Sequence, residues 1–574
     1  MWNKKLWKSA LALALALTMA LSAAACGKDG EQTPDSNPQG QQDNPGALEG
    51  TQDNADPFGA YEETVTCTLG RRTQQNPKLP EGDSYEENAY MSWVEDRFNV
   101  ALTNAFESTD GEDYERQVAL AISSEELPDM MTVDRATLEE LVENDMLADL
   151  TTSYENYATD YIKDIYDSYE GRCLGSATFD GRLMALPTTS PDSAPSQVWI
   201  RQDWLDQLNI QLDTDGNSCI TREELEMTAK EFLAKDPGGN GNPVGIAFTY
   251  DMNAGDNLEM QAISCSFGAF QKKWFQKEDG TVYNGSTTPQ MKEALAYMNK
   301  LFTEGILDPQ FGTRTWDDIT ALMTNGQTGI IFGVWHIPDW LLSNIKAMDP
   351  NASFTSFALE DGNGKVNVFH GDPAGNYVVV RKGYEHPELA VKMINLFHDE
   401  RVTSKTLEQD APEVYKYEQL GVDGSVRPLP VEINSNVSLL NDYSAIMKCV
   451  NGEADLEEMP TLEAKNMVGH IQRYNEDPNT TDVIDWSRYH SRTKGIQLIQ
   501  NLTDNGSFAW VSPLYLGTTE TMKSSGANLD KLEAETFIKM IIGEEPIDHF
   551  DSFVEQWNAQ GGAAICEELA EKAQ

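Results

Sequence analysis

Basic residues are scarce in this 574-residue chain: 42 lysines and arginines stand against 93 aspartates and glutamates, for a formal net charge of −51. A phosphate backbone needs a basic partner surface, so this composition excludes nucleic-acid binding as a general role. Broad adhesion to anionic lipid head groups is disfavoured for the same reason. The acidity is typical of a secreted, soluble surface, and carboxylates are the ligands that hard cations such as Ca²⁺ prefer.

Enzyme motifs are missing as well. The chain has no G-x-S-x-G, H-E-x-x-H or P-loop sequence, and its seven histidines are scattered. Paired carboxylates of the kind that hydrolyse glycosides stay open, because 93 acidic residues make chance pairs unavoidable. We therefore expect a protein without catalytic activity and keep an extracellular glycan-active enzyme as the alternative.

Closely spaced cysteine pairs are absent too. No C-x-x-C sequence occurs, so a zinc or thioredoxin-like site is not expected. Disulfides are permitted outside the cell, but sequence cannot pair these residues, and buried free thiols are the expected state. Apart from Cys26, the cysteines are Cys67, Cys173, Cys219, Cys265, Cys449 and Cys566.

The chain does have the means to build large cores. It is 40% hydrophobic, with 12 Trp, 20 Tyr and 20 Phe. This composition excludes a disordered chain, and the length is typical of about two to four domains.

The N-terminus has the pattern of an export signal. Lys4, Lys5 and Lys8 precede an apolar run at residues 10–25, which is too short and wrongly flanked to span a membrane. The run ends in three alanines before Cys26 and resembles a bacterial lipobox, although leucine is commoner at the place of Ala23. The resemblance implies cleavage before Cys26 and lipid on its sulfur and amine. The alternative is an ordinary A-x-A cleavage site; either way we expect export.

Residues 26–57 are rich in Gly, Pro, Asp, Gln and Asn and contain almost nothing apolar. Such a stretch cannot bury enough surface to offset its ordering entropy, so it predicts a flexible acidic linker. Beyond it, strand patterns alternate with helix patterns. A strand at residues 64–69 is followed by a helix that ends near Phe98 and a strand at 100–103. This alternation indicates an α/β layer architecture.

Several segments in order resemble bacterial extracellular solute-binding proteins of family 1. They are DGRLMALP with VWIRQDWLDQL (to residue 208), TPQMKEALAYMNKLFTEGILDPQF (288–311), NYVVVRKGYEHPELAVKMINLFHD (376–399) and ETFIKMIIGEEPIDHFDSFVEQWNAQGG (535–562). Each match is soft alone, and together they span most of residues 60–570. Helical spacing agrees independently, since Met291, Leu295, Met298, Leu301 and Phe302 share one face.

The resemblance implies a two-lobe α/β fold of the type II periplasmic-binding-protein kind, with hinge strands and a ligand cleft between the lobes. We expect an N-terminal lobe at 58–187 and 376–440, and a C-terminal lobe at 188–375 and 441–574. It further implies a monomeric receptor on the outer face of the bacterial cytoplasmic membrane. Its partners would be an oligosaccharide or similar solute and the permease subunits of an ABC importer. A surface sensor or adhesin on the same fold stays open.

A calcium site is predicted between two helix patterns at residues 213–224. Set against an EF-hand loop, the residues at positions one, three, five, seven, nine and twelve are Asp213, Asp215, Asn217, Cys219 (through its carbonyl), Thr221 and Glu224. Ser218 stands where glycine normally permits the sharp turn at position six. We expect structural Ca²⁺ here; the alternative is an acidic interhelical turn without an ion.

The ligand-site prediction centres on Trp335. A strand at residues 329–333 follows a Thr324-Asn325-Gly326 turn, and Trp335 comes just past its carboxyl end, where open α/β sheets bind ligands. The segment resembles that of maltodextrin-binding relatives, where a tryptophan at this place stacks on a sugar ring; packing in the core is the alternative. Further ligand-binding candidates, each open to a surface, capping or core role, are Asp339, Arg201, Asp203, Asp372, Trp199, Trp316, Tyr250 and Trp510.

Overall fold

The computed structural model describes residues 55–74, 77–192, 195–249, 257–459, 461–480 and 482–572. The predicted signal peptide, Cys26 and the linker up to residue 54 lie outside the described residues, as does Tyr250. Within the described part, no helix is both apolar enough and long enough to span a bilayer. Its six cysteines are free thiols, as expected, and all are buried except the half-buried Cys566.

Strands and helices alternate through both halves of the described chain. The strands are β1 Val65–Arg72, β2 Val100–Ser108, β3 Met130–Val133, β4 Thr178–Phe179, β5 Arg182–Leu183, β6 Leu186–Pro187, β7 Gln197–Arg201, β8 Cys219–Ile220, β9 Trp274–Gln276, β10 Val282–Asn284, β11 Ile330–Gly333, β12 Phe354–Leu359, β13 Val366–Phe369, β14 Tyr377–Val380 and β15 Phe508–Val511.

The helices of the first half are α1 Ala89–Phe98, α2 Gly111–Ser124, α3 Arg135–Glu143, α4 Thr151–Tyr157, α5 Asp160–Asp167, α6 Arg172–Ser176, α7 Gln202–Leu208, α8 Arg222–Lys235, α9 Gln261–Ser266, α10 Pro289–Thr303, α11 Trp316–Thr324 and α12 Leu341–Met348. Those of the second half are α13 Glu388–Asn395, α14 Arg401–Thr403, α15 Leu407–Asp410, α16 Pro412–Leu420, α17 Ser438–Val450, α18 Leu462–Glu476, α19 Val483–His490, α20 Gln497–Asp504, α21 Glu520–Ile541, α22 Phe550–Trp557 and α23 Ala563–Lys572.

Short 3₁₀ and π turns complete the helical structure. The 3₁₀ turns are Gly285–Thr287, Ile337–Asp339, Gly424–Val426, Leu456–Glu458 and Ile547–His549, and the π-helical turns are Leu396–Glu400, Ser491–Ile496 and Asn558–Gly562.

The N-terminal lobe is built on a sheet with the strand order β2-β1-β3-β14-β6. β1 pairs in parallel with β2 and β3, whereas β14 returns antiparallel to β3 and β6. All four residues of β14 are buried, as expected for a β-branched strand covered on both faces. The main hydrophobic cluster of this lobe combines residues 65–186 with residues 374–433.

The C-terminal lobe is built on a sheet with the strand order β11-β7-β12-β8. β7 runs antiparallel to β11 and β12, with Gln197 opposite Gly333 and Arg201 opposite Phe354. The carboxyl end of β11 therefore lies beside the first residue of β7. Helix α10 begins at Pro289 after the Thr288 cap, and it buries Met291, Leu295, Met298 and Leu301 in the core as its spacing predicts. The C-terminal helices α21–α23 pack into the same core.

Among the described residues, three segments cross between the lobes: residues 188–192 and 195–196 lie between β6 and β7, residues 370–376 join β13 to β14, and residues 434–437 lead into α17. Two α/β lobes joined by three crossings, with a cleft between them, are the predicted fold class, which is confirmed. The exact lobe boundaries at residues 187, 375 and 440 stay a prediction.

Candidate functional site

A cavity of about 970 Å³ lies at the three crossing segments. Its volume is within the range of about 300–1,000 Å³ that small-molecule sites occupy. We call it the tryptophan cavity, because two indole rings line it. Its walls combine apolar and polar side chains from both lobes and the crossings, which include Glu170, Arg172, Asp192, Trp335, His370, Asn434, Asn436, Ser438, Leu439, Asp442, Leu502, Phe508 and Trp510.

Trp335 reaches the cavity because β11 ends two residues before it. Its side chain is half-buried. The π turn at residues 491–496 presses against its backbone, and a Cβ atom on Gly495 would overlap the Trp335 carbonyl oxygen. The Gln197 side chain donates a hydrogen bond to the Gly495 carbonyl (2.9 Å). These contacts fix the backbone that carries the indole ring.

Arg492 covers the Trp335 ring, with its guanidinium carbon 5.2 Å from the ring centroid. Its Nη1 atom donates to Oδ2 of Asp339 (2.9 Å) and to Oγ of Ser491 (2.7 Å). Arg488 binds the same Asp339 carboxylate at 2.6 Å. The Asp339 side chain is only 6% exposed. Asp339 thus neutralises the arginine that packs on Trp335. That Asp339 also contacts ligand stays a prediction.

Trp510 forms the second aromatic wall. It lies on β15, which pairs in parallel with β13 so that Trp510 stands opposite Val368. The His370 ring stacks on the indole with a centroid separation of 4.6 Å and an interplanar angle of 10°. Trp510 is nevertheless 40% exposed. His370 therefore supports one face of the Trp510 ring, and the exposed part of the ring can serve as a stacking surface.

Asp192 ties the three crossings together. Its carboxylate accepts two bonds from Arg172 (2.6 and 3.3 Å), one from the Gly371 amide (3.2 Å) and one from the Asn436 side chain (3.0 Å). It also lies 2.8 Å from Nδ1 of His370. Burial opposes its charge, but the bonds from Arg172, Asn436 and His370 outweigh that effect and hold the pKa of Asp192 below its ordinary value.

Sequence reasoning missed Asp192, although it lies inside the crossover that carried the family resemblance. Its neighbours in sequence, Pro191 and Ser193, give no sign of what it binds, because its partners are 20 to 244 residues away. One signal in the sequence could have indicated Asp192: it lies between the strand that ends at Pro187 and the next strand.

A second cavity of about 810 Å³ lies on the N-terminal lobe, at the carboxyl ends of β1 and β3. We call it the N-lobe cavity. Asn376 of the second crossing and Glu432, two residues before the third, line it, whereas His370 and Asn434 of these crossings line the tryptophan cavity. The charged residues of the N-lobe cavity are Arg72, Glu115, Asp134, Glu140, Asp423 and Glu432.

The remaining ligand candidates lie elsewhere. Trp199 is fully buried in the core of the C-terminal lobe, and its indole nitrogen donates to the Gly333 carbonyl (3.2 Å). Trp316 packs against the same cluster and lines neither cavity. Both tryptophans therefore contact one core cluster of the C-terminal lobe, and their contact with ligand stays a prediction.

Arg201 and Asp203 lie at the other end of β7 from Gln197. Arg201 bonds to Asp203 (2.6 Å) and Asp349 (2.8 Å), and its guanidinium covers the Trp204 ring. They form a local ion-pair network and line neither cavity, and their contact with ligand stays a prediction. Asp372 lies in the second crossing, accepts the Ala374 amide (2.9 Å) and lines neither cavity; burial raises its pKa.

The predicted calcium loop connects α7 to α8 by way of β8. Ser218 has φ of 66°, so the residue at position six does take the left-handed conformation that glycine normally provides. Residues Cys219 and Ile220 pair in parallel with Ala358 and Leu359 of β12, which attaches the loop to the central sheet of its lobe.

The loop side chains bond within the loop. Asp213 accepts the Ser218 amide (3.0 Å), Asp215 accepts the Asn217 side chain (3.0 Å), and Glu224 accepts the Thr221 amide (2.9 Å) in the capping box of α8. In the part of the chain that the structure describes, no three His, Cys, Asp or Glu side chains converge as a metal site. The donor set, all oxygen, nevertheless suits Ca²⁺, and binding would require Glu224 to turn from the helix cap toward Asp213 and Asp215.

The lobes, the crossings and the aromatic cavity together define a two-lobe binding protein. A model of the family described as bacterial extracellular solute-binding protein matches residues 83–400. The chain belongs to this family.

Two relatives from Bacillus subtilis (strain 168) are similar over most of the chain. Lipoprotein LipO is 23% identical over 420 residues, which cover 71% of this chain and 75% of LipO. The polygalacturonan/rhamnogalacturonan-binding protein YtcQ is 25% identical over 423 residues, which cover 72% of this chain and 74% of YtcQ.

Solved structures share the fold at low identity. An HMO-binding, ABC-transporter-associated solute-binding protein from Bifidobacterium longum infantis has a TM-score of 0.55 at 14% identity, with 89% of this chain and 98% of that chain covered. An EF-hand mutant of the S. pneumoniae ABC-transporter substrate-binding protein FusA, in complex with fructo-nystose, has a TM-score of 0.50 at 15% identity, with the same coverage.

Proposed function

We propose that this protein is the solute receptor of an ABC importer and captures an oligosaccharide in the tryptophan cavity by closing its lobes. The pair of indole rings, Trp335 and Trp510, in one cavity at all three crossings carries the proposal. Sugar C–H faces pack on aromatic rings, while hydroxyl groups need fixed polar partners. A ligand held there touches both lobes and favours the closed state by its differential affinity.

The comparisons support the same class of ligand. The family is one of binding proteins, and the two solved relatives are described as an HMO-binding protein and as a complex with fructo-nystose. No bond is made or broken in the proposed cycle.

Isothermal titration of the mature protein against a panel of oligosaccharides tests the proposal. We expect one or more of them to bind with a dissociation constant in the micromolar range or below, about −8 kcal/mol or tighter. Chromatography of the same mixtures checks turnover. The appearance of shorter sugars would contradict the receptor proposal and favour the glycan-active enzyme, and binding without any permease that accepts the loaded protein would favour the sensor or adhesin.

We also propose that the loop at residues 213–224 binds one structural Ca²⁺. The six predicted ligands stand in EF-hand order, Ser218 has the required backbone conformation, and β8 joins the loop to the lobe sheet. The solved FusA relative is itself described as an EF-hand mutant. An ion there would stabilise the surface of the C-terminal lobe rather than contact the oligosaccharide.

Removal of calcium tests this second proposal. At a free Ca²⁺ concentration 100 times the dissociation constant, binding to the folded state adds about 2.7 kcal/mol to the free energy of unfolding. We expect EDTA to lower Tm by several degrees in the wild type and to leave a variant with Asp213→Asn and Asp215→Asn unchanged. An identical Tm for the wild type with and without EDTA would overturn the calcium proposal without affecting the receptor proposal.

A further inference from the structure

We infer that the cavity selects uncharged oligosaccharides and rejects oligomers of uronic acids. This inference rests on the proposed function and narrows its ligand class. The related YtcQ is named as a polygalacturonan/rhamnogalacturonan-binding protein, so the family includes a binder of acidic sugar chains. The charges that line the cavity in this chain argue against such a ligand.

Arg172 is the one lysine or arginine among the described residues that line the tryptophan cavity. Both terminal nitrogens of its guanidinium bond to the Asp192 carboxylate, at 2.6 and 3.3 Å. The two charges cancel, and a bidentate pair of this geometry has little capacity for a second carboxylate. The terminal nitrogens of Arg172 therefore bind Asp192 in the first crossing segment rather than a ligand carboxylate.

Arg492 and His370, which contact the indole rings, are bonded to carboxylates as well. Arg492 packs on Trp335, and its Nη1 atom bonds to Asp339 and Ser491. His370 has one face against Trp510 and its Nδ1 atom 2.8 Å from Asp192. A uronate carboxylate that entered the cavity would find Arg172, Arg492 and His370 each bonded to a carboxylate of the protein.

Two acidic side chains of the cavity wall, Glu170 and Asp442, in contrast, have no ion-pair partner among the described residues. Glu170 is exposed. Partial burial and the nearby Glu463 raise the pKa of Asp442, so Glu170 carries most of the repulsion. The N-lobe cavity also has more acidic than basic lining residues, with five acidic side chains and one arginine, Arg72. A uronic acid oligomer carries one carboxylate on every ring, so one arginine among these acids cannot neutralise it, and like charges repel in a partly enclosed site.

An uncharged sugar has partners at each of these places. Its ring faces can pack on Trp335 and Trp510, and its hydroxyl hydrogens can donate to the carboxylates of Glu170 and Asp442. Asn434 and Ser438 add groups that both donate and accept. The open acids that would repel a uronate are hydrogen-bond acceptors for a neutral sugar.

Titration with matched sugar pairs tests the inference. Each pair has one linkage and one length and differs only in its C6 groups, hydroxymethyl in one member and carboxylate in the other, as in α-1,4-linked galactotriose and trigalacturonate. Neutral di- to pentasaccharides of several linkages complete the panel. We expect at least one neutral sugar to bind and every uronate oligomer to bind at least 100-fold more weakly than the best neutral sugar.

The outcomes separate the two proposals. A uronate oligomer that binds as tightly as the best neutral sugar would overturn this inference and leave the receptor proposal standing. No binding by any member of the panel would count against the receptor proposal, and the inference would fall with it.

A charge-reversal variant tests the electrostatic cause. Glu170→Lys places a cation on the cavity wall and should raise the affinity for trigalacturonate at least five-fold. Glu408→Lys, an equal change of net charge at an exposed residue that lines neither cavity, should leave that affinity within two-fold, since screening limits charge effects to about 8 Å at physiological salt. An equal response of both variants would contradict the role of the lining charges.

Discussion

Trp335 is held between Arg492 and the cavity, so it can offer a ring face to a sugar while its backbone is fixed by Gly495. Aromatic residues at the centre of an interface commonly cost about 2 kcal/mol or more when truncated. We therefore expect Trp335→Ala to weaken oligosaccharide binding about 30-fold in isothermal titration, with thermal unfolding measured beside it.

Trp340 supplies the matched control for that change. It is a tryptophan five residues away, it is 55% exposed, and it lines neither cavity. Trp340→Ala should leave the affinity within two-fold. A Trp335→Ala protein that keeps its fold and its full affinity would return Trp335 to the role of a packing residue.

Arg492 is predicted to position the Trp335 ring without touching the sugar. A desolvated cation–π contact is worth about 2 kcal/mol, so its loss should free the ring to adopt other rotamers. We expect Arg492→Ala to weaken binding about ten-fold and to reduce the near-ultraviolet circular dichroism signal of the tryptophans, and Arg492→Lys to restore part of both.

Arg488 provides the matched control for Arg492. It binds the same Asp339 carboxylate, but the cation–π contact with the Trp335 ring belongs to Arg492. Because the Arg488 side chain is more exposed than that of Arg492, Arg488→Ala should destabilise the protein less, and it should leave the affinity within two-fold. Equal losses of affinity in both variants would show that Asp339, and not the ring contact, is what matters.

For single residues, the sequence predicted where a side chain lies in the fold better than which groups it contacts. The place of Trp335 after a strand was predicted, whereas the ion pairs of Asp339, four residues on, with Arg492 and Arg488 were not. Both arginines lie about 150 residues further along the chain, and short-range patterns carry no information about such partners. The burial of Trp199 was not predicted for a simpler reason, since every residue of β7 is buried and polarity does not show which face meets a cleft.

The proposed lobe closure would depend on the crossing segments, and Asp192, in the first of them, is bonded to the other two. Replacing one member of a buried ion pair leaves the other without its partner and costs about 3–5 kcal/mol when burial is complete. Because Arg172 keeps partial access to solvent, we expect Asp192→Asn to lower the free energy of unfolding by about 2 kcal/mol. Urea denaturation at pH 7 measures the difference.

The pH dependence of that difference follows from the sign of the pKa shift. The folded state lowers the pKa of Asp192, so its contribution is complete above the unfolded value of about 3.9 and is lost as the pH falls through the folded value. The gap between wild type and Asp192→Asn should therefore stay constant from pH 7 to about 5 and shrink below about 4. A gap that closed above pH 5 would contradict this assignment.

Asp203→Asn is the control at the scale of elements. It loosens an ion pair on Arg201 at the far end of β7, where Asp349 remains as a partner. We expect a loss of stability without a change in oligosaccharide affinity, whereas Asp192→Asn should change both.

The helices and strands themselves were largely predictable from the sequence. Helix α10 and strand β14 follow from the spacing of apolar residues. The pairing of β8 with β12 could not be predicted from the loop, because it joins residues 139 positions apart.

The whole molecule is proposed to work at the outer face of the cytoplasmic membrane, held by lipid on Cys26 and a linker that ends near residue 57. The related LipO is named a lipoprotein. We expect the native protein to partition into detergent in Triton X-114 extraction and the Cys26→Ala protein to remain in the aqueous phase, with the same affinity for oligosaccharide. A native protein found wholly in the aqueous phase would favour the ordinary A-x-A cleavage site.

At this largest scale the sequence was most informative, because the two-lobe fold rests on collinear segments spread over most of residues 60–570 and not on any single residue. The choice of ligand was least predictable. It depends on which charges meet at the crossings, and the bonding of Arg172 to Asp192 and of Asp192 to Asn436 appears only in three dimensions.

A crystal structure of the mature protein with its tightest-binding oligosaccharide tests the central claim most directly. The account predicts sugar density in the tryptophan cavity, with carbon atoms within about 4.5 Å of the Trp335 and Trp510 rings and with groups from both lobes in contact with the ligand. Sugar bound on the outer surface of one lobe, with both indole rings uncovered, would contradict it.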